Sequence, residues 1–469
     1  MKSLRPFLLS LLCVGTACQT VTERMVPDAD EETPEASGDF RYDTTSDSEA
    51  VPEDWWKVFG DSTLTELIGR LNDANPDVAA ALARVDQSFA ILGITRSSIF
   101  PTGRANAEVG RRRDSQNNLL FPINQLEYDR FSVGLSATWE VDLWGRVRAT
   151  VKRDRLRAQG EAVNYRNVLL SLQASLAEQY FAYRAAQTEL NLLLRAESLA
   201  EEALAVQRAR LELGQGVQAD VAKAKLELQT SAAATEAAHR NSGKLLHSLA
   251  TLTGTMPSKL TELKGQGGGG SVEIPAGVPS ELLGRRPDLM VADRSLRAAA
   301  QQIGISKADF LPKLTLVGSG AVASLRAENW FEADSGLFDV GPQVDVPIFA
   351  YKLRKNRVAE AKAAYQEAAA NYRSAFLTAV REVDDALLDL RSFEREAKLQ
   401  RAALDAATEA ATAAKDRYER GLDSYLEYIG AEQVRLQTAA REKNTSAQGQ
   451  IASVHLIRAL GGSWGSLEE

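Results

Sequence analysis

The sequence predicts a mainly α-helical protein with a small β part, long antiparallel helical hairpins and an internal duplication. Two stretches of 68 and 69 residues contain at most one glycine and no proline. Four short segments alternate apolar with polar residues, and several motifs recur at a constant offset along the chain. Charged residues make up 25% of the chain and apolar residues 44%, a composition that excludes both a disordered chain and a helical membrane protein.

The first 17 residues have the character of a secretory signal peptide. Lys2 and Arg5 precede the apolar run Pro6–Ala17, which is too short to span a membrane as a helix. Removal of the two positive charges takes the net charge from −8 to −10, and so acidic a chain is not expected to bind nucleic acid. Cys13 lies in the signal, so the mature chain keeps at most Cys18 and forms no internal disulfide.

Residues 20–54 are rich in Asp, Glu, Thr, Ser and Pro, and they predict an extended arm because such a composition buries little apolar surface. The folded part begins with Trp55-Trp56 and Phe59, which we interpret as packing anchors. A helix opens at Asn75-Pro76-Asp77 and stops before Pro101. Asn is a good capping residue, Pro suits the first helical position, and Asp favours the positive end of a helix.

Four segments predict β-strands: 103–110, 129–143, 313–322 and 336–348. Successive side chains of a strand lie on opposite faces, so these segments each have an apolar and a polar face. The apolar face of 129–143 is long enough to cross a bilayer when the strand is tilted. The alternative is a small water-soluble sheet packed on helices.

A membrane location for these strands would require an assembly. Backbone groups in lipid must be hydrogen-bonded, so a membrane sheet has to close on itself. Four strands cannot close, because the smallest barrels use about eight. Two copies of the chain would supply about eight strands and three copies about twelve, and geometry alone does not choose between them.

The long helical stretches are Arg146–Leu213, with Gly160 as its one glycine, and Lys352–Arg420. Each would extend about 100 Å as one continuous helix. Glycine-containing turns follow at 213–216 and 421–424, and they predict return helices that end near Gly254 and Gly461. The stretches are rich in alanine, which favours close helix packing, either in a coiled-coil rod or in a ring of hairpins that closes into a tube.

Matching residues at constant offsets indicate the internal duplication. Four pairs are 211 residues apart and four are 207 apart: Pro76/Pro287, Asp77/Asp288, Gly93/Gly304, Pro101/Pro312; Arg210/Arg417, Glu212/Glu419, Gly214/Gly421, Ala224/Ala431. The domain organisation predicted from these features is a signal peptide (1–17), an arm (18–54), a first repeat (55–264), a linker (265–285), a second repeat (286–464) and a tail (465–469).

Seven motifs occur in this order along the chain: Trp55-Trp56 with Phe59, Asn75-Pro76-Asp77, Asp142–Arg146, Val278–Leu283, Arg285–Asp288, Arg417-Tyr418 with Gly421, and Ala459–Trp464. Together they resemble the motifs of outer-membrane factors of the TolC type, and in particular their OprM/NodT-like efflux lipoprotein branch. They cover nearly the whole mature chain. The resemblance implies a homotrimer with a twelve-stranded transmembrane β-barrel, to which each chain contributes four strands, and a trimeric α-barrel tunnel.

The resemblance also implies an outer-membrane duct that exports small molecules (drugs, organic compounds or metal ions) and extends into the periplasm. Its expected partners are a periplasmic adaptor, an inner-membrane transporter and outer-membrane lipid. An enzyme is not expected, and neither is a cofactor, because no catalytic constellation or spaced metal-ligand motif is visible. The competing hypothesis is a periplasmic coiled-coil adaptor or structural lipoprotein.

Gly15-Thr16-Ala17-Cys18 resembles the bacterial lipobox, which implies a covalent lipid on Cys18. Thr16 and Ala17 fit that pattern, whereas Gly15 departs from the larger apolar residue usual there. Gln19, in place of aspartate, resembles lipoproteins that are sorted to the outer membrane. The alternative is a plain signal peptide with an incidental cysteine.

By resemblance, the two glycine turns lie at the periplasmic end of the tunnel. Gly214, Gly216 and Gly421 are the expected adaptor-docking positions, although any helical hairpin uses glycine at its turn. The residues expected at the periplasmic aperture are Arg210, Arg417, Tyr418, Asp423, Tyr425, Leu426 and Glu427.

One position departs from the family pattern. Gly430 stands where the family often carries an aspartate that forms a cation-attracting ring, so Asp423 or Glu427 could supply the negative charge instead. The alternative is that both are helix-start acids that interact with the helix dipole.

Overall fold

The computed structural model describes residues 21–22, 24–32, 54–115, 117, 127–261, 263 and 282–462. The predicted signal peptide, Cys18, most of the predicted linker and the predicted tail lie outside these residues. The described elements of the first half are α1 (Ser62–Ala74), α2 (Pro76–Ser97), β1 (Thr102–Arg113), β2 (Glu127–Val141), α3 (Arg146–Glu212) and α4 (Gln218–Leu252). Those of the second half are α5 (Pro287–Ala308), β3 (Lys313–Ser324), β4 (Gly336–Asp345), α6 (Tyr351–Glu419) and α7 (Tyr425–Ala459), with a one-turn helix at Leu282–Arg285 before them.

This order confirms the predicted fold class. Each half contains a helix, two strands and a long helical hairpin, as the constant offsets predict. The two longest helices, α3 with 67 residues and α6 with 69, are uninterrupted. By length and composition, α2 is the one helix among the described residues that could cross a membrane, which is weak evidence by itself.

The described chain divides into two compact units, and each takes segments from both halves of the sequence. Unit 1 comprises Met1–Thr33, Arg84–Ala162 and Val291–Arg373, and it contains the sheet. Unit 2 comprises Pro34–Ala83, Val163–Met290 and Ser374–Glu469, and it contains both hairpin turns. The repeat boundaries predicted from the sequence describe a different division and stay a prediction.

The four strands form one antiparallel sheet in the order β1-β2-β3-β4. Leu135 pairs with Ala105 of β1 and with Gly320 of β3, and Gly320 in turn pairs with Phe338 of β4. This register puts the apolar residues of all four strands on the same face of the sheet. Leu135 is 68% exposed and Phe338 84% exposed, so none of the described helices covers these positions.

The helices of unit 2 enclose the main core of that unit. Trp55, Trp56 and Phe59 are buried in it, which confirms their interpretation as packing anchors. Ring contacts join Phe59 to Phe181 of α3, with centroids 5.0 Å apart. Other large side chains in this core are Leu64, Leu67, Ile68, Leu71, Leu176, Tyr180, Tyr183 and Leu249.

Helix α1 was not predicted from the sequence. It begins after Asp61, whose side chain accepts hydrogen bonds from the backbone N–H groups of Thr63 (2.9 Å) and Leu64 (3.1 Å). The same buried carboxylate accepts a hydrogen bond from the Tyr180 hydroxyl at 2.8 Å, and it forms an ion pair with Arg184 at 3.1 Å. Burial and the neighbouring Asp61 carboxylate raise the pKa of Tyr180, so its hydroxyl stays a donor.

The duplication extends to individual hydrogen bonds at the ends of the return helices. The Asn75 side-chain amide donates to the carbonyl of Leu252 at 2.8 Å, near the end of α4. At the corresponding place in the second half, the Arg286 guanidinium donates to the carbonyl of Ala459 at 2.9 Å, near the end of α7. The residue types differ, but both satisfy a carbonyl that the helix end leaves without a helical partner.

The described residues 21–22 and 24–32 of the predicted arm are packed within unit 1 rather than extended. Thr22 and Ala29 are buried. The Lys307 ammonium donates to the carbonyl of Met25 at 2.7 Å, and Arg297 forms an ion pair with Asp30 at 2.6 Å. Polar hydrogen bonds and ion pairs therefore hold this segment, which explains why its composition does not predict the packing.

Candidate functional site

The two hairpin turns have the same backbone structure. Gly214 and Gly421 have φ angles of 71° and 74°, a left-handed conformation that glycine adopts without strain. The N–H group after each glycine bonds back to Arg210 or to Arg417, at 2.8 Å in both cases. This is the Schellman motif, which ends a helix and reverses the chain. Gly214 and Gly421, which lie 207 residues apart like their neighbouring residue pairs, therefore occupy the same position in equivalent turns.

Arg417 and Asp423 form an ion pair across the second turn. Nε of Arg417 lies 2.5 Å from one carboxylate oxygen of Asp423, and Nη2 lies 3.0 Å from the other. This two-point geometry matches the planar guanidinium to the planar carboxylate. The hydrogen bond from Arg417 lowers the pKa of Asp423, so the carboxylate stays charged and paired unless the pH falls below its usual titration range.

Three tyrosines cluster beside this pair. The ring centroids of Tyr418 and Tyr425 are 5.0 Å apart, those of Tyr425 and Tyr428 are 5.8 Å apart, and those of Tyr418 and Tyr428 are 6.5 Å apart. The Tyr425 hydroxyl donates a hydrogen bond to the carboxylate of Glu202 in α3. That bond raises the pKa of Tyr425 to about 12, so the hydroxyl stays protonated and bonded at physiological pH.

An apolar contact reinforces the connection between α3 and α7. Leu199 of α3 is buried against Ile429 and Leu436 of α7, and Tyr425 and Tyr428 pack on this cluster. The start of α7 is thus fixed to the end of α3 by apolar packing and by one charge-assisted hydrogen bond. Separating these two helices at the turn end would require breaking both.

The predicted site residues divide into two groups. Arg417, Tyr418, Asp423 and Tyr425 are brought together. Arg210 is exposed, and its guanidinium has no ion pair within 4 Å among the described residues. Leu426 is half-buried and lies outside the described apolar cluster.

Glu427 and Gly216 have local roles. The backbone N–H of Glu427 bonds to the Ser424 hydroxyl at 3.3 Å, which caps α7, while its carboxylate is exposed and has no ion pair among the residues that the structure describes. A Cβ atom added at Gly216 would lie 3.2 Å from the backbone nitrogen of Leu211, a tight contact within the first turn.

Sequence reasoning did not find Glu202 or Tyr428. Glu202 is separated from Tyr425 by 223 residues, and nothing in its local sequence distinguishes it from other helical glutamates. Tyr428 did carry a signal, because it follows Tyr425 by three residues and so shares its helix face.

The described residues contain no group of three or more His, Cys, Asp or Glu side chains that could hold a metal ion. The histidines lie on helices: His239 and His247 are exposed, and His455 lies 3.1 Å from Glu178.

The chain is similar to known efflux proteins over most of its length. The family model described as outer membrane efflux protein matches residues 67–255 and 278–462. A relative is the outer membrane protein OprJ of Pseudomonas aeruginosa, which is 29% identical over 415 residues, covering 88% of this chain and 86% of OprJ. Another is the toluene efflux pump outer membrane protein TtgC of Pseudomonas putida, which is 28% identical over 99% of this chain and 96% of its own length.

Solved structures show the same fold. The CmeC outer membrane channel of Campylobacter jejuni matches with a TM-score of 0.89 and 25% identity over 95% of this chain and 96% of CmeC. The open state of the MtrE outer membrane channel of Neisseria gonorrhoeae matches with a TM-score of 0.83 and 26% identity over 93% of this chain and 98% of MtrE.

These matches confirm the predicted function as an outer-membrane duct for efflux, and the predicted location in the outer membrane. The relatives are channels rather than enzymes, and several are named as parts of efflux pumps. The competing hypothesis of a periplasmic adaptor with a soluble sheet is wrong, because the apolar face of the sheet is exposed and the matched proteins are outer-membrane channels. Since the family model covers most of the sequence, the chain belongs to the outer membrane efflux protein family.

Proposed function

We propose that three copies of the chain form one channel, in which the four strands of each copy complete a twelve-stranded membrane barrel and the helical hairpins form a tunnel. The observation that carries this proposal is the exposed apolar face of an open sheet. Among the described residues β1 and β4 each pair on one side only, so each has an edge with unpaired backbone groups. A lipid-facing sheet with two free edges needs strands from other copies to close.

Exposed apolar surface on the helices also supports an assembly of copies. Phe89, Ile91 and Ile94 of α2 are exposed, and Ile94 is 72% exposed. Most of the alanine-rich region of α6 around Ala406 and Ala413 is also exposed. Small side chains let helices approach closely, so these surfaces suit packing against a neighbouring copy.

The channel would receive small molecules from an inner-membrane transporter through a periplasmic adaptor. The names of the relatives, which include toluene and antibiotic efflux pumps, support organic compounds and drugs as the exported class. The hairpin turns of unit 2 would form the periplasmic aperture and the docking positions of the adaptor.

The decisive experiment measures the mass and the conductance of the purified protein. In detergent, native mass spectrometry should give the mass of three copies, and the same preparation should form water-filled channels in a planar lipid bilayer. A monomeric protein without conductance would overturn the proposal.

We expect tryptophan at Gly421, or at Gly214, to abolish efflux while the trimer still assembles. Either side chain would project from an exposed turn at an expected adaptor-docking position. Drug resistance of a strain that depends on this channel is the measurement. Gly421→Asn is the matched control, because asparagine tolerates a left-handed backbone and is far smaller. Equal resistance with tryptophan and with asparagine would remove the turn from the docking surface.

Glu427 is the better of the two expected cation-attracting residues, because Arg417 already neutralises Asp423. We expect Glu427→Gln to lower the preference of the channel for cations and Asp423→Asn to change it less. Reversal potentials measured across a salt gradient would test this. An unchanged preference in both variants would assign both acids to the helix dipole alone.

Cys18, which lies outside the described residues, is the proposed lipid-anchoring residue. The lipobox-like sequence Gly15–Cys18 supports this proposal. Labelled palmitate should be incorporated into the unaltered protein and not into the Cys18→Ala variant. Undiminished label in the variant would identify a plain signal peptide.

A further inference from the structure

An exposed apolar and basic segment links the sheet to α6. We call residues 346–357 the junction segment. Its apolar members are largely exposed, up to 86% for Phe349: Val346, Ile348, Phe349, Tyr351 and Leu353. Its basic members are Lys352, Arg354, Lys355 and Arg357, and all but the half-buried Arg354 are exposed. Exposed aromatic rings next to Lys and Arg are typical of segments that lie at the boundary between lipid and water.

The charge of the junction segment is unfavourable for the helix that it begins. The N-terminus of a helix is the positive end of its dipole and favours acidic residues. Helices α2, α4, α5 and α7 follow this rule, with Asp77, Asp220, Asp288 and Glu427 in their first turns. Helix α1 has no acidic residue in its first turn, but the carboxylate of Asp61 directly before it accepts hydrogen bonds from its first N–H groups. The first turns of α3 and α6 also contain no acidic residue. A broken local rule of this kind indicates that another requirement decides the residue type.

Helices α3 and α6, which both begin with basic residues, differ in how those residues are paired. At the start of α3, Arg146 pairs with Glu140 at 2.7 Å and Arg148 pairs with Asp142 at 3.1 Å. At the start of α6, none of the four basic side chains has a carboxylate within 4 Å among the described residues. Arg354 donates to the backbone carbonyl of Phe349, a neutral acceptor. The junction segment therefore concentrates four uncompensated positive charges in a chain whose net charge is −8.

The position of the segment indicates where its anionic partner would lie. The segment follows β4, whose apolar residues Phe338, Val340 and Val344 are exposed on the face that the proposed barrel turns toward lipid. All four strands join helices at this same end of the sheet, whereas β1 and β3 end, and β2 and β4 begin, at the other end. In the proposed channel the helices lie on the periplasmic side, so the junction segment would meet the periplasmic leaflet of the outer membrane.

We propose that the junction segment binds the phosphate groups of anionic phospholipids in this leaflet, while its exposed apolar side chains enter the adjoining acyl region. The proposal rests on the proposed insertion of the four strands into the membrane. Four basic side chains attract anionic headgroups, and N–H groups at a helix start donate hydrogen bonds to phosphate oxygens. The lipid thus replaces the carboxylates that pair with the corresponding basic residues of α3.

The test compares the lipids that the purified full-length protein retains. The protein is exposed to equal amounts of phosphatidylglycerol and phosphatidylcholine in detergent, and native mass spectrometry reports both the number of protein copies and the bound lipids. We expect a preference for phosphatidylglycerol that falls about tenfold when Lys352, Arg354, Lys355 and Arg357 are all replaced by Gln. We also expect raised salt to weaken the preference of the unaltered protein.

Two matched variants serve as controls. In the first, the exposed residues Lys223, Lys225, Arg395 and Lys398 are replaced by Gln, which removes the same charge from helices of unit 2. In the second, Lys and Arg are exchanged for each other at the four junction positions, which keeps the charge. Both should retain the preference of the unaltered protein.

An unaltered protein without a preference for phosphatidylglycerol would overturn the proposal, and so would an equal preference in all variants. Loss of the trimer in the glutamine variant, with the lipid preference unchanged, would identify the junction segment as a contact between copies and overturn it as well. Failure of the unaltered protein to form trimers would refute the proposed channel instead, so the two failures are distinguishable.

Discussion

The Tyr425→Phe variant is expected to spend far more time in an open, highly conducting state than the unaltered channel. The substitution removes the hydroxyl that bonds to Glu202 and keeps the aromatic ring. A hydrogen bond to a charged group at such a partly exposed site contributes about 1 kcal/mol. Three such bonds in the proposed trimer would contribute about 3 kcal/mol, which corresponds to a change of about a hundredfold in the opening equilibrium.

Single-channel recording in planar bilayers would measure the open fraction. Tyr428→Phe is the matched control, because the ring contacts of Tyr428 remain and no hydrogen bond of its hydroxyl occurs among the described residues. Glu202→Gln should resemble Tyr425→Phe, since it removes the negative acceptor. If the Tyr425→Phe and Tyr428→Phe channels have the same open fraction, the hydrogen bond to Glu202 does not keep the aperture closed.

This hydrogen bond and the ion pair between Arg417 and Asp423 predict how the contacts at the turn depend on pH. The pKa of Tyr425 is raised to about 12, so the contribution of its hydroxyl is complete below pH 10 and is lost only as the pH rises through about 12. The pKa of Asp423 is lowered, so the ion pair with Arg417 is present at neutral pH and is lost only at strongly acidic pH. Neither contact titrates near neutrality.

Much of the fold could be predicted because local sequence signals and the duplication agree. Helix-start motifs such as Asn75-Pro76-Asp77 and the turn glycines Gly214 and Gly421 mark boundaries that the structure reproduces within a few residues. Helix α1 was missed although Asp61 is a good capping residue and Leu64, Leu67, Ile68 and Leu71 follow at helical spacing. Asn75 is both the C-cap of α1 and the residue before α2, so no loop in the sequence marks where α1 ends.

The candidate site was less predictable because its contacts join distant parts of the chain. A sequence identifies Arg417 and Asp423 as charged residues around one turn, and their pairing follows from proximity. It cannot identify Glu202 as the acceptor for Tyr425, since the register between α3 and α7 depends on how Leu199 packs against Ile429. Arg210 shows the opposite case: its offset matches that of Arg417, yet no acidic partner lies beside it among the described residues.

The Gly254→Ala variant is expected to lose about 3 kcal/mol or more of folding stability and to give little assembled channel. Gly254 ends α4 with a φ of 65°, where an L-residue costs about 1–2 kcal/mol. A Cβ atom there would lie 2.2 Å from the carbonyl oxygen of Ala74, so the backbone between α1 and α2 would have to shift. That shift would disturb the bond from Asn75 to Leu252 and the core behind it.

Gly243→Ala provides the matched control, since it is the same substitution inside α4, and a Cβ atom at Gly243 meets nothing within 4 Å. Alanine is favoured over glycine inside a helix by about 0.5–1 kcal/mol, so this variant should be slightly more stable than the unaltered protein. Thermal unfolding followed by far-ultraviolet circular dichroism, at one heating rate for all variants, would measure the difference. Similar melting of the two alanine variants would contradict the prediction, because only Gly254 combines a left-handed backbone with a close carbonyl.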